Sequence, residues 1–430
     1  MCMSLYFSDS DGCVLRRGKD HSHPPDHAMC VTSILTTNMR KRAREELTAI
    51  PQIYEQERKK LVTCDMGPAS PQRVASQLKL YHGMRSQLYR QRQKKVPQNP
   101  KEAADLQLDG EWTRTLTAEN FLLVDSMEDD QRIIVFGTST NLARVCSSDT
   151  ILMDGTFSIC PRIFYQLYII HSLSPTGISL PELYCLLPNK TKITYTRLLR
   201  LIQTKAEEHS MCFSPKTVIL DFELAVHNVL YAILPGSHVK GCLFHYGQAL
   251  WRKLQELGLS SEYRQFDHIR HWFRLFIGLC FLPVPQVMNG FVAIQNQHTP
   301  NNDKCRLFNA YFLDTWLTGQ FPIPLWNHFR TDVPRTNNNC EGYNSRLKKR
   351  ACKAHLNIYE LILLFKDEHA NKEAYLLQIN EGHRPAKRRR KYDDLDKNLA
   401  KLGLEYMLCE KDMPTYLSAC GHLLSGYFEP

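Results

Sequence analysis

Two short apolar runs, each delivering an aspartate, constrain this chain more than any other feature. Ile151–Phe157 reads Ile-Leu-Met-Asp-Gly-Thr-Phe, and Thr217–Glu223 reads Thr-Val-Ile-Leu-Asp-Phe-Glu. An apolar run closed by Asp-Gly predicts a buried strand that stops at a turn. Asp154 and Asp221 are therefore expected at strand ends, on the lip of a sheet. A third acidic residue, supplied by a helix, would complete a carboxylate set able to hold divalent cations for phosphoryl transfer.

At 430 residues, 43% of them hydrophobic and 23% charged, the chain is globular and long enough for more than one structural unit. No apolar stretch approaches the roughly 18 to 20 residues of a membrane span, and Met1–Gly12 lacks the charged-then-apolar order of a signal peptide. A soluble intracellular protein without a membrane partner is expected. The 15 cysteines have no short regular spacing, which in such a compartment favours reduced, mostly buried thiols.

The formal charge of +10 is concentrated. Between Arg40 and Lys101 there are 15 Lys/Arg against 5 Asp/Glu, and the remainder of the chain is close to neutral. Such a segment suits a polyanion partner, double-stranded DNA above all, because each phosphate contact releases counterions. An arginine-rich solvated helical face remains the alternative.

In chain order, residues 1–30 carry Cys2, Cys13 and the pair His21 and His23. A His-x-His pair can complete a tetrahedral zinc site, although this spacing is also ordinary loop sequence. Residues 31–104 form a basic helical region, with helix formers from Thr36 to about Leu61 and from Gln72 to Lys95, punctuated by Pro51, Pro71 and Pro97. The second run ends in the basic set Arg85, Arg90, Arg92, Lys94 and Lys95, which suits DNA phosphates without specifying a sequence. Pro97–Ala104 reads as a linker.

Residues 105–246 alternate short β-branched runs with helical patterns, the signature of a mixed α/β domain. Strands are expected at Ile133–Phe136, Thr150–Met153, Phe164–His171, Leu183–Leu187, Val218–Leu220 and Ser237–Leu243, and helices at Tyr195–His209 and Ala225–Ile233. Residues 247–330 read as an all-helical insertion. Residues 331–380 return to the core with a helix that carries Glu341, and residues 381–430 read as a polar, basic tail. Glu341 has a second reading, as the capping partner of Asn338 three residues earlier. Lys387–Lys391 fits a nuclear import signal or a solvated basic run.

The blocks Met153-Asp-Gly-Thr-Phe157, Phe164-Tyr-Gln-Leu-Tyr168, Asp221-Phe-Glu223, Gly241-Cys-Leu-Phe-His245 and Asn338-Asn-Cys-Glu341-Gly-Tyr-Asn344, in this order, resemble those of Mutator-like element (MULE) transposases. Residues 1–30 resemble the closing end of a FLYWCH-type zinc finger; Cys2 and Cys13 lie too close to His21 for that family's cysteines, so a truncated remnant is implied. The MULE resemblance implies a ribonuclease H-like catalytic core, a mixed sheet flanked by helices, in which Asp154, Asp221 and Glu341 hold Mg²⁺ or Mn²⁺ for DNA strand cleavage and transfer. The DNA reading implies a nuclear protein, and the resemblance implies a homo-oligomer. Zn²⁺ enters only if the finger remnant binds it.

Cys242 and His245 match a Cys-x-x-His motif of the same family and are assigned a supporting role. A zinc reading would need two further ligands, with Cys212, His227 and His238 as candidates, and a cysteine hydrolase would need an orienting residue that the sequence does not offer. Glu223, two residues after Asp221, is left outside the triad. A protein that keeps this fold as a host-recruited DNA-binding regulator, without catalysis, is the alternative function.

Overall fold

The computed structural model describes residues 26–46, 48–331, 333–385 and 389–428, and the backbone alone of 7–8 and 14–16. Cys2, Cys13, His21 and His23 lie outside the described residues, as does part of Lys387–Lys391. The chain divides into two compact units, residues 1–98 and residues 99–430. No described helix is long and apolar enough to cross a membrane.

In the first unit, β1 (Phe7–Ser8) pairs antiparallel with β2 (Val14–Arg16). Four helices follow: α1 (His27–Glu45), α2 (Ile50–Thr63), α3 (Pro71–Gln77) and α4 (Tyr81–Gln93). Their apolar faces close a small core of Met39, Ala43, Ile50, Ile53, Tyr54, Leu78, Met84 and Leu88. The run expected from Thr36 to Leu61 breaks just before the Pro51 that punctuates it, and the run from Gln72 to Lys95 breaks between α3 and α4. Pro51 lies in the first turn of α2, where its missing N–H costs nothing; within a continuous helix it would lack a backbone bond, and the break falls at the non-helical Ala49. The second break turns Leu78 into the core, and the Tyr54 hydroxyl donates to the Lys79 carbonyl at 3.1 Å.

The second unit is built on a seven-stranded mixed sheet in the order β3-β4-β7-β6-β5-β8-β9. Its strands are β3 (Leu122–Glu128), β4 (Gln131–Phe136), β5 (Thr150–Thr156), β6 (Gln166–Leu173), β7 (Ser179–Leu187), β8 (Thr217–Leu220) and β9 (His238–Gly241). From β3 across the sheet to β5 the strands pair antiparallel, whereas β8 lies parallel to both β5 and β9. β3 and the helix α5 (Ser139–Ser147) join the elements expected from sequence.

Side chains alternate across the sheet, as the two-residue strand period requires. Ile151, Met153, Val218 and Leu220 point into one layer, with Leu198, Leu199 and Ile202 of α6 (Lys192–Glu208) and Val226 and Leu230 of α7 (Leu224–Ile233). Leu152 and Ile219 point the opposite way, onto Cys340 of a later helix.

After β9 come α8 (Leu243–Glu256), α9 (Ser260–Gln265), α10 (Asp267–Gly278), α11 (Val287–Ala293), α12 (Asp303–Phe312) and α13 (Ile323–Trp326). They enclose an aromatic core that includes Trp272, Phe276, Phe291, Phe312, Trp316 and Trp326. The chain then returns to the sheet in α14 (Asn338–Ala351) and α15 (Ile358–Asn380).

Residues 381–430 correct the sequence reading of a polar tail. They contain α16 (Arg390–Met407) and α17 (Met413–Phe428), and Leu399, Tyr416, Leu417, Cys420 and Leu424 are buried in the same aromatic core. Glycine makes the crossing of α10 and α17 possible. A Cβ on Gly278 would strike the Leu417 backbone, and one on Gly421 would strike that of Arg274. The linker reading of Pro97–Ala104 also changes, since Arg132 donates to the Ala103 and Leu106 carbonyls, each at 2.7 Å, and pins the segment's end.

Candidate active site

Three elements distant in sequence meet at the edge of the sheet. Asp154 lies inside β5, opposite Ile169 of β6, and the strand runs on to Thr156. This corrects the expected turn at Asp-Gly: Gly155 continues the ladder against Tyr168. Having the parity of Leu152, Asp154 projects on the face that α14 covers, and it is only 7% exposed. Asp221 is the first residue after β8. Glu341 sits in the first turn of α14.

The sequence of α14 explains how one helix serves two surfaces. Cys340, Tyr343 and Leu347, three and four residues apart, form its buried stripe. Cys340 packs on Leu152 and Ile219, and the Tyr343 hydroxyl hydrogen-bonds that of Tyr184 at 2.7 Å. Asn337, Glu341 and Asn344, again spaced by four and three, project toward the aspartates. The Asn337 amide donates to Asp221 Oδ1 at 2.7 Å, and the Asn344 amide donates to Asp154 Oδ2 at 2.6 Å. Neither asparagine was assigned a role from sequence; their helical spacing from Glu341 was the available signal. The capping reading of Glu341 does not survive, because Asn337 occupies the N-cap without a side-chain capping bond.

His245 stands between two of the carboxylates. Its Nδ1 is 2.8 Å from Asp221 Oδ1 and its Nε2 is 3.3 Å from Glu341 Oε1. Nδ1 and Glu341 Oε1 are both buried, yet neither makes a contact with hydrogen-bond geometry. Cys242, at the N-cap of α8, is fully buried, and its sulfur accepts the Asn337 backbone N–H at 3.4 Å. His227 fixes the other side of Asp221, through Nε2 to the Asp221 carbonyl at 2.6 Å; burial lowers its pKa to about 4.

The electrostatics are those of crowded negative charge. Burial first, then the charges of Asp221 and Glu341, push the Asp154 carboxyl up to about 7, against an opposing pull from His245. Burial also raises Glu341, opposed by His245 and reinforced by Asp221. Burial disfavours a charged His245 ring, but the neighbouring Asp221 carboxylate and Cys242 outweigh it and raise its pKa to about 10. Burial is the largest cause for both raised carboxyls, and the neighbouring carboxylates add to it, a contribution that a bound cation would relieve.

The other residues singled out from sequence fall elsewhere. Glu223 lies near Asp221 but accepts the Tyr195 hydroxyl at 3.0 Å. Cys212 and His238 are exposed, and neither they nor His227 join Cys242 and His245; Glu341 does. In the amino-terminal unit, Arg85, Arg90, Lys94 and Lys95 are exposed. Arg92 is engaged instead, donating to the carbonyls of Ala43 at 3.2 Å, Glu46 at 3.1 Å and Thr48 at 2.5 Å, so it closes the end of α1.

Residues 150–249 match the family model described as the MULE transposase domain. This stretch carries Asp154, Asp221, Cys242 and His245, and Glu341 lies beyond it. A comparison with curated proteins gives no match.

Proposed function

We propose that this chain is a MULE-type DNA transposase, or a protein derived from one, in which Asp154, Asp221 and Glu341 hold Mg²⁺ or Mn²⁺ for strand cleavage and strand transfer. The observation that carries this reading is the convergence of those three carboxylates, from β5, β8 and α14, beside the stretch that matches the transposase domain. The donor set fits a hard divalent ion: three carboxylates crowd one another, and a buried oxygen of Glu341 has no hydrogen-bond donor. A ribonuclease H-like core is part of the proposal. The run β7-β6-β5-β8-β9, antiparallel up to β5 and parallel beyond it, supports it.

The divalent ion, when bound, supplies Lewis-acid stabilisation of phosphate oxygens and a more acidic water or 3′-hydroxyl. The residues of the chain do the positioning. The Asn337 and Asn344 amides fix one oxygen on each aspartate and so orient both carboxylates. His227 holds the Asp221 backbone from behind. His245 neutralises part of the charge between Asp221 and Glu341. Arg85, Arg90, Lys94 and Lys95 are proposed to contact the phosphates of double-stranded DNA, and their exposure supports this. Nuclear residence and assembly into a multimer complete the proposal, as joining two DNA ends requires.

The test is nicking of supercoiled plasmid by the purified chain in Mg²⁺ or Mn²⁺, beside Asp154→Asn, Asp221→Asn and Glu341→Gln. Metal-dependent nicking lost in all three variants is expected. Absence of nicking in the wild type, together with DNA binding that weakens steeply with salt, would replace this reading with that of a recruited, non-catalytic DNA-binding protein.

A further inference from the structure

The fold assembles a second donor set at the edge of the carboxylate cluster, of a different chemical kind. Ligand atoms of Cys242, His245 and Glu341 all lie within 4.8 Å of one another, the only such group of His, Cys, Asp and Glu among the described residues. We infer that these three side chains form a site for a borderline transition ion such as Zn²⁺, separate in its donors from the hard-ion set but sharing Glu341 with it.

Three observations carry the inference. First, the donors are sulfur, imidazole nitrogen and a carboxylate oxygen, a combination that suits zinc and similar ions and is foreign to magnesium. Second, the geometry is rigid. Cys242 and His245 are the N-cap and the third residue of α8, the Leu243 backbone N–H donates to the Arg335 carbonyl at 2.8 Å, and Glu341 is set by the packing of α14 on β5. Third, Glu341 Oε1 and His245 Nδ1 are buried without a contact of hydrogen-bond geometry, their protein contacts being the close approaches of 3.3 Å to His245 Nε2 and 2.8 Å to Asp221 Oδ1 that a bound ion would replace. The Cys242 sulfur has one backbone N–H aimed at it, from Asn337, the kind of outer contact that steadies a metal-bound thiolate. The N-terminus of α8 adds its favourable dipole end to the same thiolate.

Binding replaces the thiol proton of Cys242 with the metal ion, so the bond to sulfur forms as a proton leaves to solvent. Water would complete the tetrahedral set; Asp221, 2.8 Å from the ring of His245, lies outside the group of three. Because Glu341 cannot serve both ions fully, occupation of this site would oppose hard-ion binding. Binding itself does not depend on the chain being a nuclease.

Titration of the full chain with cobalt(II) chloride under reducing conditions is the test, since a cobalt–thiolate bond has its own near-ultraviolet absorption. The band in the wild type is compared with that in Cys242→Ser, His245→Gln, Glu341→Gln and Asp154→Asn, each checked for native circular dichroism. A fraction equal to one ion per chain should disappear in Cys242→Ser. His245→Gln and Glu341→Gln should weaken it by at least about tenfold, the scale on which even outer-shell changes register. Asp154→Asn should retain it while losing any nicking, which separates this site from the cleavage reading. A band absent from the wild type, or unchanged in both Cys242→Ser and His245→Gln because other cysteines supply it, overturns the inference. Should Cys242→Ser fail to fold, His245→Gln decides.

Discussion

Two clusters of buried charge lie in the second unit, and they are finished in opposite ways. Around Glu182, which is fully buried, every oxygen is taken: Oε2 accepts from the Asn141 amide at 2.7 Å and from Lys372, and Oε1 accepts from Arg144 at 3.0 Å and from the Ser172 hydroxyl at 3.1 Å. Around Asp154, Asp221 and Glu341, negative charge outnumbers its partners, and buried oxygens on Glu341, Asn337, Asn338 and Asn344 make no hydrogen bond. A closed cluster costs little once made and is expensive to break. The open one raises the energy of the fold, a cost that the proposed metal ion would offset.

The largest effect should come from breaking the closed cluster. Glu182→Ala leaves Lys372 and Arg144 to share Glu373 as their remaining carboxylate partner and should cost about 3 to 5 kcal/mol, read as a fall in the urea midpoint. Lys372→Met leaves the charge of Glu182 with Arg144 as its one remaining cationic partner and should cost somewhat less. If Glu182→Ala proves neutral, the two clusters do not differ in the way described.

Next in size is the response to metal. Mg²⁺ or Mn²⁺ at 100 times its dissociation constant should stabilise the wild type by about 2.7 kcal/mol, and Asp154→Asn, Asp221→Asn and Glu341→Gln should each lose most of that gain. Differential scanning fluorimetry with and without metal measures it. The Glu182 cluster predicts no such dependence.

In metal-free buffer the open cluster should also react in the opposite sense to mutation. At pH 8, Asp154→Asn should raise stability, on the order of 1 kcal/mol, by removing one buried charge from a crowded set. The sign with pH follows from the shift: the folded carboxyl, raised to about 7, holds its proton where the unfolded one, near 3.8, has lost it. Stability from this group is therefore present at acidic pH, declines as pH rises from about 4 to 7, and is absent above that. The gap in melting temperature between wild type and Asp154→Asn should widen between pH 5 and pH 8. A constant gap would remove Asp154 from the crowded set.

The smallest effect separates two arginines in the amino-terminal unit. Arg92→Ala should lower stability by about 1 to 2 kcal/mol through loss of the α1 end contacts, whereas Arg90→Ala should leave stability within about 0.5 kcal/mol and reduce DNA affinity and its salt slope.

The sequence alone identified the two apolar runs that end near aspartates, the position of Glu341 on a helix and the Cys-x-x-His motif of Cys242 and His245, because each is a pattern over a few neighbouring residues; the helix that carries His245 was not among them, since Ser237–Leu243 reads as a strand. The alternation that buries Leu152 and Ile219 on one face and Met153 and Leu220 on the other is set by the strand period. Tertiary structure decided the rest. Whether β5 stops at Asp154 depends on β6 supplying Ile169 and Tyr168 as partners, which no local signal reports. Arg92 resembles its basic neighbours in sequence and is distinguished by three carbonyls from the α1–α2 junction. The apolar positions of α17 fall within the stretch read as a polar tail because their partner, α10, lies far earlier in the chain and meets them through Gly278 and Gly421. His245 could be named from its motif, but its place between Asp221 and Glu341 exists only where β8, α8 and α14 converge, since the energy of a buried charge is set by whatever the fold brings within a few ångströms of it.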